Sequence, residues 1–335
     1  MTTSVRPRSI LTIVALTVGL LTLLSTLSLF YGAVPISRAT VLASFHAFDA
    51  GNLQHQLVQE VRLPRLICAG LVGIALALSG TMMQGLTRNA LADPSLLGIT
   101  HGAGLGVALS LAFVSEHSFV TSLVFSFGGA ALGTAVILLI TVFARGRFSP
   151  VTLTVAGAAL SALFSALSTG ITLFHQVAQD LSFWYAGGLS GAKWAHVFVL
   201  LPVVLLGLLI SLHIARSMTV LSLGEDVATG LGSSLTKVRL LGFCSIVLLA
   251  GVAVSVAGVI GFVGLIIPHI SRFLVGTNYY LLLPVSALFG MTLLIASDLL
   301  ARMINPPFET PLGAVTALVG VPYFLYLARR KELSV

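Results

Sequence analysis

The sequence predicts an all-α protein that crosses a membrane about ten times, and three observations carry that expectation. Hydrophobic residues make up 57% of the 335 residues and charged ones only 8%, where soluble domains carry roughly 25%. Mean hydropathy is +1.08, and the apolar residues fall into runs near the ~20 residues that a helix needs to cross hydrocarbon. The Lys and Arg residues gather at the ends of those runs rather than inside them. The formal charge of +7 is thereby explained by membrane topology rather than by nucleic-acid binding.

In chain order the expected spans are 10–31, 63–84, 94–114, 119–143, 150–174, 194–214, 237–257, a short one at 259–274, 281–302 and 311–328. The first follows Arg6 and Arg8, as a signal peptide would. It is longer than the ~7–15 apolar residues of such a leader and no small-residue cleavage site follows, so it reads as a retained span. Pro64 suits the first turn of the second span, and Asp93-Pro94 forms an N-cap and first-turn pair for the third. The nearby Gln84, Arg88 and Asn89 have no role that spacing alone assigns. In the eighth, Gly258, Gly261 and Gly264 precede Pro268, a poor recipe for a continuous helix. The backbone there is expected to be broken and to lie in protein or against a cavity, with close helix packing as the alternative. His269 beside Arg272 has no second ligand at metal-binding spacing. Cys68 and Cys244 lie in separate apolar runs and read as small buried hydrophobes rather than a disulfide or metal pair.

With the N-terminus placed inside, twelve of the seventeen Lys and Arg fall on the inner side, among them Arg6, Arg8, Arg145, Arg147, Arg330 and Lys331. The outer five are Arg38, Arg62, Arg65, Lys193 and Arg302. This asymmetry predicts both termini in the cytoplasm. Three connections have useful length: 32–61 and 175–193 outside, and 215–236 inside. The whole of 1–335 reads as one membrane domain, with 215–236 as its cytoplasmic loop.

Three constellations are candidate sites. Arg62 and Arg65 at the outer start of the second span face the positive end of a helix dipole, and Arg302 closes the ninth on the same side. They are expected to form a basic rim for a partner's carboxylates, which arginine pairs bidentately; neutralisation by Glu60 and Asp298, or snorkelling to headgroups, is the alternative. In the inner loop, Ser222 and Glu225 form a capping-box pattern. Leu223, Val227 and Leu231 make one apolar stripe, Gly224 lies between, and Gly232 can take a left-handed terminal conformation. So short an amphipathic helix must dock, either on this chain or in a groove of a cytoplasmic partner. Gly157, Ser161, Ser165 and Ser168 in the fifth span, and Gly313, Thr316 and Gly320 in the tenth, are small residues at helical spacing. They suit helix contact or the lining of a wide pathway, and a subunit interface serves both.

No P-loop pattern occurs, nor H-E-x-x-H or G-x-S-x-G, so neither nucleotide binding through a P-loop nor the commonest intramembrane hydrolysis is encoded. No carboxylate falls near the middle of an expected span, which argues against an ion-coupled carrier.

Several segments together resemble the FecCD-type permeases of binding-protein-dependent ABC importers for ferric siderophores, haem and cobalamin. They are Arg62–Leu66 (RLPRL), Arg88–Pro94 (RNALADP), Trp184–Leu189 (WYAGGL), Leu223–Gly232 (LGEDVATGLG), Gly258–Arg272 (GVIGFVGLIIPHISR), Asp298–Arg302 and Glu309–Pro322 (ETPLGAVTALVGVP). Ala90 and Thr310 depart from the usual proline and leucine. The resemblance is greatest to ferric-siderophore permeases and implies a ten-helix, cobalamin-permease-like type II importer fold. It implies a transport subunit in the bacterial cytoplasmic membrane, with no catalytic residues, cofactor or metal of its own. ATP and Mg would be bound by two partner ATPases that grip Ser222–Gly232. An extracytoplasmic solute-binding protein would dock on Arg62, Arg65 and Arg302. A second permease copy or relative would share the pathway walled by the fifth and tenth spans.

Overall fold

The computed structural model describes residues 7–32, 34–115, 118–143 and 150–329. Of the basic residues counted inside, Arg6, Arg145, Arg147, Arg330, Lys331 and the side chain of Arg8 lie outside what it describes.

Every regular element among the described residues is helical. The first helix, α1 (Pro7–Phe30), leads to a cap of two short helices, α2 (Arg38–His46) and α3 (Leu53–Gln56). A π-turn (Leu57–Arg62) then runs without interruption into α4 (Leu63–Thr87). A 3-10 turn (Pro94–Leu97) precedes α5 (Ile99–Phe113), followed by α6 (Phe119–Phe143), α7 (Pro150–Phe174), the short α8 (Ala178–Ala186) and α9 (Trp194–His213). Two short helices, α10 (Ala215–Leu221) and α11 (Glu225–Gly230), form the loop before α12 (Leu235–Ala257). The chain closes with α13 (Val263–Val275), α14 (Tyr279–Met303) and α15 (Leu312–Arg329).

Seven helical stretches are long and apolar enough to cross a membrane, and α5, α13 and α15 supply three shorter apolar ones. These ten coincide with the expected spans. Two of the short ones are short for visible reasons. Asp93 caps the 3-10 turn by accepting from the Ser95 amide at 2.9 Å, and this turn takes the place of α5's first helical turn. Ahead of α13, residues 258–262 are irregular, with Gly258 and Phe262 at positive φ, so that span is an irregular segment followed by a short helix.

α4 is the central post. In its apolar stretch 89% of residues are buried, whereas none are in the corresponding stretch of α1, which lies at the perimeter. Alternating small residues let neighbours approach α4 backbone to backbone. A Cβ added at Gly73 would strike the carbonyl of Gly290 in α14, and one added at Gly80 would strike that of Gly264 in α13. Without a hydrophobic driving force inside lipid, such close packing is what joins helices.

The second span does not begin at Pro64. It belongs to a 35-residue helical stretch, Leu53–Thr87, that starts eleven residues earlier. Proline inside a helix lacks an N–H and clashes with the preceding turn. The wider π-turn directly before Pro64 accommodates both defects, and it sets Arg62 and Arg65 on the inward side. The expected conflict between these arginines and a helix N-terminal dipole therefore does not arise.

Candidate functional site

At the α2/α3 end of the bundle the three arginines do not form an exposed rim; Arg62, Arg65 and Arg302 are all buried, at 4–5% exposure. Each guanidinium finds partners within the chain. Arg65 binds Asp298 through Nε at 2.9 Å and Nη2 at 2.8 Å, and Glu309 through Nη1 at 2.6 Å. Arg302, one turn after Asp298, lies 3.1 Å from its other oxygen, off the hydrogen-bond direction. It also donates to the Ser28 hydroxyl and carbonyl. Arg62 donates to the carbonyls of Leu29 (2.6 Å), Phe30 (3.0 Å) and Val34. The last turn of α1, whose carbonyls have no helical partners, is thus capped by two guanidiniums from α14 and the π-turn. Asp298 neutralises as the alternative reading had it, but the second carboxylate is Glu309 rather than Glu60. Beside Arg65 and Glu309 opens a cavity of about 440 Å³, walled by Trp184, Gly187–Ser190, Gly258 and Thr310–Leu312. Among the outer basic residues, Arg38 and Lys193 remain exposed.

At the opposite end, α11 is shorter than the stripe implied, and its capping box does not form. α10 runs up to Ser222, whose hydroxyl donates back to the Thr219 carbonyl at 2.7 Å, so Ser222 ends one helix instead of starting the next. Gly224, with φ +126°, is the residue before α11. Glu225 pairs with Arg239 of α12 at 2.6 Å. At the far end Gly232 has φ +79° and the Ser233 amide donates to the Ala228 carbonyl at 2.9 Å, a Schellman-type ending. Ala228 is fully buried, fixing one side of α11. Leu223, Val227 and Leu231 are 66%, 45% and 67% exposed, so the apolar stripe has not folded back on the chain.

The small-residue stripes are divided. In α7, Gly157 is pressed against the Leu96 carbonyl and Ser168 is buried, donating to Phe164 at 2.7 Å. Ser161 is half-buried and Ser165 exposed. The four lie on the border between the packed side and an open side formed by Ala158, Ala162, Ser165 and Thr169. In α15, Thr316 is buried, and Gly313 and Gly320 pack against Val259 and the Phe262 ring of the irregular segment before α13. These residues are therefore packing surfaces for the broken span rather than an open wall.

Among the described residues no cluster of three or more metal-ligating side chains occurs.

A model of the FecCD transport family matches residues 20–330. The chain belongs to that family. Among FecCD relatives, the iron(3+)-hydroxamate import system permease protein FhuB of Bacillus subtilis is 48% identical over 313 residues, covering 93% of this chain and 82% of its own. The iron-uptake system permease protein FeuB of the same organism is 40% identical over 305 residues, 91% of each. A solved structure, an inward-facing conformation of a metal-chelate type ABC transporter, matches with a TM-score of 0.83 at 32% identity. It covers 95% of this chain and 99% of its own.

Sequence reasoning missed two functional-looking features. Glu309 as the partner of Arg65 lies 244 residues away and carries no local signal. The buried Gln84, noted only as one of several polar residues near a turn, proves to be hydrogen-bonded to α13.

Proposed function

We propose that the chain is the membrane-spanning permease subunit of an ABC importer that carries a ferric siderophore into the cytoplasm. The observation that carries the reading is α11. With its flanking residues it presents three exposed apolar side chains, Leu223, Val227 and Leu231, about a helix held by Ala228 and the Glu225–Arg239 pair, at one end of a FecCD bundle. An apolar stripe in water is unfavourable unless covered, and a cytoplasmic ATPase groove is the cover that an ABC importer supplies. Residues 215–236 are then the coupling loop, and both termini lie in the cytoplasm of a bacterium, on the same side as α11.

In this reading the chain has no catalytic residues and holds no nucleotide or metal. A pair of partner ATPases binds ATP and Mg, and hydrolysis there moves α11. A solute-binding protein docks at the Arg65–Glu309 end, where Arg62, Arg65 and Arg302 organise the surface from within instead of projecting from it. The open side of α7 faces a second permease, identical or related, across the pathway. The carried chelate is a ferric siderophore, with the hydroxamate class to be tested first because the 48%-identical relative bears that name.

Uptake of radiolabelled iron as a ferric hydroxamate by cells lacking this chain tests the proposal. Uptake is expected to fall and to return with the wild-type chain but not with Leu231→Asp. Normal uptake in the absence of any compensating permease overturns it.

A further inference from the structure

Gln84 lies near the end of α4 with no solvent exposure. A primary amide so placed must find partners for both its ends or suffer a large desolvation cost. All of its side-chain partners belong to α13, and they come from opposite ends of that helix. Its Nε2 donates to the Leu265 carbonyl at 3.1 Å and, at 3.4 Å, to the Gly264 carbonyl, both in the first turn. Its Oε1 accepts from Arg272 Nη2 in the last turn, also at 3.1 Å.

The contacts continue toward the α11 loop. The Arg272 guanidinium also lies near the hydroxyl of Tyr279, the first residue of α14. That hydroxyl and Met218 of α10 close over Gly85, next to Gln84. The Tyr279 amide donates to Thr219 Oγ1 of α10 at 3.0 Å. In the other direction, the first turn of α13 follows Phe262, which has φ +69° and lays its ring on Gly320 of α15.

α13 is also set off from its neighbours. Gly258 (φ +66°) and the irregular segment 258–262 separate it from α12, and Gly276 (φ +75°) separates it from α14. With irregular backbone on both sides, its position is set by contacts with its neighbours, the Gly80–Gly264 approach and the Gln84 amide among them, rather than by a continuous helix.

We infer that Gln84 is a positioning residue for transport. It locks α13 to the α4–α10 body that carries α11, so that displacement of α11 reaches the broken span and, through Phe262, α15. This deepens the permease reading and rests on it. A packed element with two discrete placements, biased from both sides, is the physical form such coupling takes.

Two measurements test the inference. In the assembled importer reconstituted with its ATPase, Gln84→Leu is expected to lower import per ATP hydrolysed by about tenfold. The amount of complex and its basal ATPase rate should be kept. Gln84→Glu, which keeps the acceptor for Arg272 but loses the donor to Leu265, should fall between. Thr219→Val combined with Gln84→Leu should be no worse than Gln84→Leu alone, because both interrupt one route. Import that falls only in proportion to assembled complex overturns the inference.

In the purified chain, Gln84→Leu should raise amide hydrogen exchange in 262–266 and also in 215–221, leaving α5 and α6 unchanged. An increase confined to 262–266, or spread equally to α5 and α6, overturns it. A wild-type importer that moves no ferric chelate overturns the permease reading instead, and the exchange measurement still decides the role of Gln84.

Discussion

Arg65 and Asp298, 233 residues apart, form a buried two-point contact in which Nε and Nη2 both approach the same carboxylate oxygen at 2.8–2.9 Å. Arg302 faces the other oxygen, so Asp298, buried at 1% exposure, lies between two guanidiniums of which only Arg65 has a second carboxylate, Glu309, as partner. Removing one member of a buried pair leaves the rest uncompensated, at a cost of about 3–5 kcal/mol. Asp298→Asn, nearly the same shape, should therefore lower the thermal unfolding midpoint of the detergent-purified chain strongly. A midpoint within a degree or two of wild type would show the charges to be solvated.

Arg62 makes a different contribution, because its partners are carbonyls at the end of α1. Arg62→Gln is expected to loosen that end without disturbing the Arg65–Asp298 pair. Amide exchange in 28–36 should rise while α4 and α14 hold their protection. Were Arg62 an exposed docking side chain instead, exchange would stay unchanged and only affinity for the binding protein would fall.

Exposure predicts the opposite behaviour for α11. Leu223→Asp and Leu231→Asp alter side chains that touch water already, so stability should change by no more than about 0.5 kcal/mol. Co-purification with the ATPase should be lost. Retained co-purification at wild-type level would mean that the stripe meets something else.

Two glycines give a paired control on helix packing. Gly80→Ala places a methyl group against the Gly264 backbone, where nothing flexible can yield, so folded yield should drop. Gly261 has nothing within 4 Å of an added Cβ, and Gly261→Ala should be tolerated in yield. Equal yields for both would argue against the α4–α13 approach.

The spans were legible because a bilayer imposes length and apolarity on each helix separately, so hydropathy and punctuation such as Asp93-Pro94 and Gly258 suffice. What a sequence read one segment at a time hides is partnership. Nothing near Arg65 announces Asp298 or Glu309, so burial of the charge was missed. Ser222-x-x-Glu225 fits a capping box locally, but α10 reaches Ser222 first and Gly224 takes the entry turn. In α7, spacings of four, four and three spread over about 80° of arc at 100° per residue. That arc is wide enough to straddle the line between the packed and open sides. Gln84 is visible in the sequence as a polar residue near a turn, but its role is not, because its partners lie 180 and more residues away in α13.

The capping of α1 also sets an order of events during synthesis. The Ser28 group that Arg302 holds precedes it by 274 residues, which at ribosomal rates of about 5–20 residues per second is roughly 15–55 s of waiting. For that interval the end of α1 is held by Arg62 and by the small apolar cluster of Leu29 and Phe30 with Ile36, Val41 and Val58. Its fastening to the rest of the bundle is completed only when α14 arrives with Arg302.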